Sequence, residues 1–285
     1  MEKTAKKPRK TVHRSTAVQQ DYVAAKVAGK PVSEPLLVII PYLPGEAQGE
    51  ELRLAVAGWE KHCKSPFRIV IVGEGLQPVS ELFAGSEMVH IVESPRVAGK
   101  DGNYRPHLDY VSCLKKVRSL YPESREFVMV ADDCFAVNDF TVDDLRKLYV
   151  HPAEFLGSND AYNGWQRDAR KTRLTLDANG LPHRNFTTHL PMLFEWDKWE
   201  SIVKEYDMEN ESYVIEALYY NTYFPDTEAI VLDHDTDAIR CWMGNSSVPP
   251  HDVRLALDRK KWVCCSVGGY SYIVEDLLKK HYGLE

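Results

Sequence analysis

Four apolar runs, each ended by a polar or turn-forming cluster, organise the first half of the chain. Leu36-Leu37-Val38-Ile39-Ile40 is continuously apolar, as expected of a strand buried on both faces. It stops at Pro41-Tyr42-Leu43-Pro44-Gly45, a loop signal. Residues 50–62 carry Leu52, Val56 and Trp59 at helical spacing, which predicts an amphipathic helix. Phe67-Arg68-Ile69-Val70-Ile71-Val72 predicts a second strand, stopped by Gly73-Glu74-Gly75, and Met88-Val89-His90-Ile91-Val92 a third. Pro106 opens a predicted helix whose Leu108, Val111, Leu114 and Val117 form one stripe. Phe127-Val128-Met129-Val130-Ala131, the fourth strand, runs straight into Asp132-Asp133. Strands alternating with helices predict an α/β fold with one mostly parallel, Rossmann-type sheet and right-handed crossovers.

The second half is less regular. Residues 171–188 read as a hairpin turning near Ala178-Asn179-Gly180. Trp196, Trp199, Ile202, Val203 and Tyr206 predict an amphipathic helix, and residues 212–220 another. Ala229-Ile230-Val231-Leu232 predicts a short strand leading into Asp233-His234-Asp235-Thr236-Asp237. A last strand over 263–267 and a helix over 272–281 complete the pattern. Open α/β sheets bind ligands at the carboxyl ends of their strands. Pro41-Tyr42, Glu74, Arg96 and Asp132-Asp133 all fall at such ends, so one edge of the sheet is the expected site.

Charge adds an asymmetry. The chain's 285 residues carry a net charge of −7, yet residues 1–35 alone are +5, with eight Lys and Arg against three acids. The body is therefore −12, which argues against a polyanion-binding surface as a whole. The arm reads as a solvated tail; contact with anionic lipid or nucleic acid is the less favoured alternative. No 18-residue apolar run and no signal-type apolar segment is present. Six Cys without a C-x-x-C pair, four of them inside apolar runs, read as small buried hydrophobes. The expected compartment is a reducing cytoplasm.

Adjacent carboxylates at the end of an apolar strand repel one another and lose solvation. A hard divalent cation, Mg²⁺ or Mn²⁺, relieves that cost with one or two carboxylates plus phosphate oxygens; the alternative is a turn cap with its neighbour in solvent. Glu195 and Asp197, flanking Trp196, are candidate bases for an acceptor hydroxyl, or simply the acidic first turn of a helix. In Asp233-His234-Asp235, His234 is the member favoured as a metal ligand or base. Tyr162, Trp165, Trp196, Trp242 and Tyr270 are candidates for a sugar-stacking platform, Trp165 foremost.

The segment from Phe127 to Val137, FVMVADDCFAV, resembles the D-x-D region of GT-A fold nucleotide-sugar glycosyltransferases, in the x-D-D variant of bacterial capsule and phage-type enzymes. Asn103-Tyr104-Arg105-Pro106 with the following helix, and Thr188-His189-Leu190-Pro191, resemble weaker elements of the same family. The resemblance spans roughly residues 36–235. It implies a nucleotide-diphospho-sugar donor, a glycan or other hydroxyl acceptor, and Mn²⁺ or Mg²⁺. It implies Asp133 as metal ligand and Asp132 on the metal or on the donor's sugar and ribose. Pro41 and Tyr42 would flank the base, with Tyr42 stacking on it, and Glu74 would accept from base or ribose. Arg105 would neutralise the departing diphosphate, and His189 would serve as ligand or base. Ala131 stands where the family often has an acid, so one ribose contact is missing.

The expectation is thus a basic arm over 1–35 and a single GT-A-like catalytic domain over 36–285. Residues 36–140 would hold the nucleotide sugar and 141–285 the acceptor, in a metal-dependent hexosyltransferase. The alternatives are a hexose-1-phosphate transferase or nucleotidyltransferase on the same fold, or a non-catalytic nucleotide-sugar-binding module.

Overall fold

A computed structural model describes residues 34–99, 102, 104–155, 164–233, 238–245 and 247–285. The strands are β1 Leu36–Pro41, β2 Phe67–Gly73, β3 Val89–Glu93, β4 Glu126–Met129, β5 Cys134–Ala136, β6 Tyr149–Val150, β7 Met192–Glu195, β8 Ile230–Val231, β9 Arg240–Met243 and β10 Trp262–Cys265. The helices are α1 Glu51–His62, α2 Gln77–Leu82, α3 Pro106–Leu120, α4 Val142–Leu145, α5 Gly164–Ala178, α6 Trp196–Glu205, α7 Ile215–Tyr223, α8 Pro250–Arg259 and α9 Tyr272–Tyr282.

The central sheet has the order β3-β2-β1-β4-β7. β1, β2, β3 and β4 pair in parallel, and β7 joins β4 antiparallel. This is the α/β fold with a mostly parallel sheet that the apolar runs predict. The continuity of those runs has a direct cause. Leu37 and Ile39 enter one core with Phe127, Val111 and Leu114, together with Trp199 and Leu218 of α6 and α7. Val38 and Ile40 enter the opposite core with Val128 and with Leu52, Val56 and Trp59 of α1. A strand flanked by two cores needs apolar side chains at odd and even positions alike.

Two expectations are corrected. The sheet is not single: β10 lies between β5 and β9 in a separate three-stranded sheet, and β6 pairs with β8. A third core, between this smaller sheet, α1, α8 and α9, explains why β10 is apolar throughout. The hairpin over 171–188 is absent. Residues through Ala178 continue α5, and Gly180 ends it at φ 63°, with the Leu181 amide donating to the Leu176 carbonyl. Asn-Gly is a helix stop here, the left-handed C-terminal cap that glycine adopts freely, and the apolar Leu181 folds back to pack on the core that holds Leu176. No helix among the described residues is long and apolar enough to cross a membrane. All six Cys are free thiols, and only Cys241 is not fully buried.

Where β1 and β2 end, their backbones come unusually close. A Cβ on Gly73 would lie 1.9 Å from the Tyr42 carbonyl oxygen, so no larger residue fits without moving the loop that carries Tyr42. We expect Gly73→Ala to destabilise the chain by about 1–3 kcal/mol, lowering Tm by roughly 2–4 °C per kcal/mol. An unchanged melting curve would contradict this packing.

Candidate functional site

The carboxyl edge of the parallel strands opens into two adjoining cavities. The larger, of about 640 Å³, is lined among others by Asp132, His107, Tyr110, His189, Trp165 and Trp242. The smaller, of about 160 Å³, is lined among others by Tyr42, Glu51, Tyr104, Asp109, Asp132 and Asp133. Pro41, Tyr110 and Asp132 border both. β4 ends at Met129, so Val130 to Asp133 lead off the sheet edge and deliver the two carboxylates to this divide.

The electrostatics there are those of crowded acids. Burial, then the neighbouring Asp133 and Glu51, raise the Asp132 carboxyl to about 7. Glu51, the first residue of α1 and only 5% exposed, is likewise lifted to about 7, chiefly by burial and by Asp133 and Glu275, although the Gln48 amide donates to it at 2.7 Å. Asp133 lies 2.6 Å from His189 Nε2. Burial works to lower the His189 pKa, but the hydrogen bond and charge of Asp133 win and raise it to about 9. His189 adopts φ 58°, a left-handed conformation that costs a non-glycine residue of order 1 kcal/mol or more. Its ring is set edge-on against Trp242, 5.2 Å between centroids. Around neutral pH it is a cation locked onto Asp133, a geometry unlike that of a free base.

Most residues expected at the sheet edge from the first half are found there. Pro41, Tyr42, Asp132 and Asp133 line the cavities, as does His189. The Tyr42 hydroxyl is pushed up to about 12 by burial and by the nearby Asp132 and Glu51. Glu74 is exposed just beyond β2 and lines neither cavity. Arg96 reaches the rim of the smaller one, pairing with Glu46 at 2.7 Å and lying 3.5 Å over the Tyr104 ring.

Other expectations are corrected by the topology. Glu195 and Asp197 are not at the site. β7 runs antiparallel to β4, with Met192 opposite Met129 and Glu195 opposite Glu126, so Glu195 lies at the far, amino end of β4. Three extended residues, about 10 Å, separate it even from Met129. Arg105 turns away from both cavities, to Asp168 at 3.3 Å, and lines a separate hollow with Arg167 and Lys171. Trp196 is fully buried in the core, and Tyr270 is buried with its hydroxyl on Glu275 at 2.9 Å. Trp165 and Trp242, by contrast, are 44% and 40% exposed and face the larger cavity. His234 and Tyr162 lie outside the described residues, and Asp233 is exposed at the end of β8.

Sequence reasoning missed Glu51, Asp109, His107, Glu216 and Arg240. Glu51 and Glu216 sit in first turns of helices, where an acid reads as a dipole partner. Arg240 lies on a short strand whose donation to the Thr188 carbonyl only the tertiary fold creates. Asp109 at least followed a signal, an acid three residues after Pro106; it is buried and accepts from the Val97 amide at 3.0 Å.

Among the described residues, no group of three His, Cys, Asp or Glu side chains forms a ready-made metal cage. The crowded oxygen donors of Asp132 and Asp133, with Glu51 behind them, nevertheless suit a hard cation that takes its remaining ligands from elsewhere.

No family model matches the chain, and no curated protein matches it. Solved structures do align with it, two glycosyltransferases among them. WbbM, a bifunctional glycosyltransferase, does so at 11% identity over 82% of this chain and 46% of its own, with a TM-score of 0.45. A glycosyltransferase involved in the glycosylation of the major capsid of PBCV-1 does so at 11% identity over 88% of this chain and 100% of its own, with a TM-score of 0.41. This chain therefore spans less than half the length of the first. At such identities and scores below 0.5, neither likeness bears on the chemistry of the site.

The raised groups make a stability prediction. A carboxyl held near 7 in the fold but near 3.9 when unfolded binds its proton more tightly in the native state. Its contribution is full below about pH 4 and is lost as pH rises through 7; His189 adds loss in the same direction as pH passes 9. We expect Tm without divalent cation to fall between pH 5 and pH 8. Asp132→Asn should raise Tm at pH 8 by roughly 2–4 °C and flatten the slope. A variant with the wild-type slope would show that Asp132 ionises freely.

Proposed function

We propose that the chain is a glycosyltransferase of the GT-A kind, moving a sugar from a nucleotide-diphospho-sugar to an acceptor hydroxyl. The observation that carries this reading is the position of Asp132 on the divide between a small cavity bearing Tyr42 and a larger one bearing Trp165 and Trp242. A diphosphate sugar has that same order: an aromatic base, a charged linker, and an apolar-faced pyranose. Tyr42 suits the base, since stacking contributes about 1–3 kcal/mol. Trp165 and Trp242 suit the sugar or acceptor.

Mg²⁺ or Mn²⁺ is proposed at Asp132 and Asp133, with diphosphate oxygens completing its shell, because two carboxylates alone make no cage. When bound, the cation would withdraw charge from the departing diphosphate. The chain's own residues supply the rest. His189 presents a positive charge beside Asp133, and Arg240 lines the larger cavity with Trp242. Both are placed to balance the growing negative charge, work first expected of Arg105.

The test is a hydrolysis and binding screen over UDP-, GDP- and dTDP-sugars with Mn²⁺. At least one donor should release nucleoside diphosphate and raise Tm. Asp132→Asn should reduce turnover about 10²–10³-fold. Release of nucleoside monophosphate would move the assignment to sugar-phosphate transfer. Neither turnover nor a Tm shift with any donor would end the proposal.

A further inference from the structure

The larger cavity holds a polar pair that the proposed transfer has not yet used. His107, in the first turn of α3, is 4% exposed and lines the cavity wall. Its Nδ1 lies 3.0 Å from Asp168 Oδ2. Asp168, on α5, is 2% exposed and also accepts from Ser212 Oγ at 2.6 Å and from the Arg105 guanidinium at 3.3 Å. A carboxylate already accepting from a hydroxyl and a guanidinium has acceptor capacity only, so Nδ1 of His107 must be the donor. That orients the ring, so in the neutral imidazole the lone pair belongs to Nε2, on the far side from Asp168. Tyr110, one turn on, meets the imidazole edge-on at 5.8 Å and restrains it.

From this geometry we infer that His107, oriented by Asp168, is the general base that deprotonates the acceptor hydroxyl. The inference rests on the transferase reading above. In the step, Nε2 takes the hydroxyl proton as the oxygen forms its bond to the sugar's anomeric carbon. The bond from that carbon to the diphosphate oxygen breaks, and its electron pair leaves with the diphosphate. The imidazolium so formed faces Asp168 until the proton passes to solvent.

The rival groups of the cavity are less suited. His189 Nε2 is already occupied by Asp133. His151 Nε2 donates to the Thr187 carbonyl at 3.2 Å, a neutral oxygen that, unlike the Asp168 carboxylate, gives an imidazolium no counter-charge. Glu216 of α7 lines the cavity, and among the described residues no hydrogen bond orients its carboxylate. The charged and titratable groups around His107 are Arg105 just before its helix, Tyr110 on it, Asp168 on α5, and Glu216 on α7. Asp132, His151, His189 and Arg240 face it across the cavity.

The experiment uses the Mn²⁺-loaded protein and the donor that the screen identifies, with water as acceptor, from pH 5 to pH 9. His107→Gln should lower kcat at least about 100-fold, leave the donor KM within about twofold, and abolish the rise in rate on the acid side. Added imidazole should restore about tenfold of the activity lost in His107→Ala, which a merely structural role would not allow. Asp168→Asn should act in the same direction, because an amide NH₂ facing Nδ1 moves the imidazole proton to Nε2. Histidine ¹⁵N spectra of the wild type, which need no variant to fold, should show His107 as the Nδ1–H tautomer. The opposite tautomer, or a His107→Gln enzyme within about threefold of wild type with its acid limb intact, overturns the assignment while leaving the transferase reading standing. A wild type that turns over no donor removes both.

Discussion

The polar groups at the sheet edge are arranged by one constraint: β1 and β4 are sealed on both faces by separate apolar cores. A strand so enclosed carries charge only at its ends, as Glu126 does at the start of β4, and its polar groups appear where the backbone enters or leaves the sheet. For β4 that exit is Val130 to Asp133, and for β1 it is Pro41 and Tyr42. Because the two strands are parallel neighbours, their exits lie on the same edge. Tyr42 and Asp132 are 90 positions apart in the chain yet share a cavity wall. The closeness of Gly73 to the Tyr42 carbonyl tightens the same edge from the β2 side.

The same constraint explains which parts of the site were legible. Apolar runs ending in turn or acidic clusters read correctly as parallel strands, and parallel strands align their ends, so Pro41, Tyr42, Asp132 and Asp133 followed. Glu195, singled out beside Trp196, failed because no pattern announces β7, and β7 is the strand that reverses. An apolar run looks the same in either direction, and only the pairing of Met192 with Met129 shows which end faces the ligand. Asn179-Gly180 failed for a similar reason: a glycine at positive φ serves a hairpin and a helix C-terminus alike, and Leu181 decides between them through tertiary packing. Arg105 was read from its place beside Pro106, but its direction depends on Asp168, 63 residues later, which no local pattern reveals. Trp196 and Trp242 differ only in what lies around them. One packs at 4.0 Å on Phe127 inside the core, and the other stands at a cavity mouth.

The two clusters at this edge handle charge in opposite ways. At Asp168, one carboxylate meets a hydroxyl, a guanidinium and an imidazole, so its charge is fully answered and the geometry around it is fixed. At Asp132, three carboxylates converge, and among the described residues His189 pairs with one of them, Asp133. The remaining two hold protons into the neutral range. The first arrangement suits a rigid acid–base pair; the second suits a site that receives its compensation from outside.

That difference governs how a divalent cation would bind. Asp132 and Glu51 keep their protons to about pH 7, and Asp133 is held by His189. An incoming cation must therefore displace protons and weaken an ion pair before it gains two carboxylate ligands. For the proposed cation, such exchange would make affinity fall steeply as pH drops below 7 and leave it modest when the cation comes alone. A diphosphate arriving with the cation would change the balance, supplying further oxygen ligands and giving a released His189 a new anion to face. On this argument the proposed donor and metal would assemble the site together, since among the described residues Asp132, Asp133 and Glu51 form no ready-made cage.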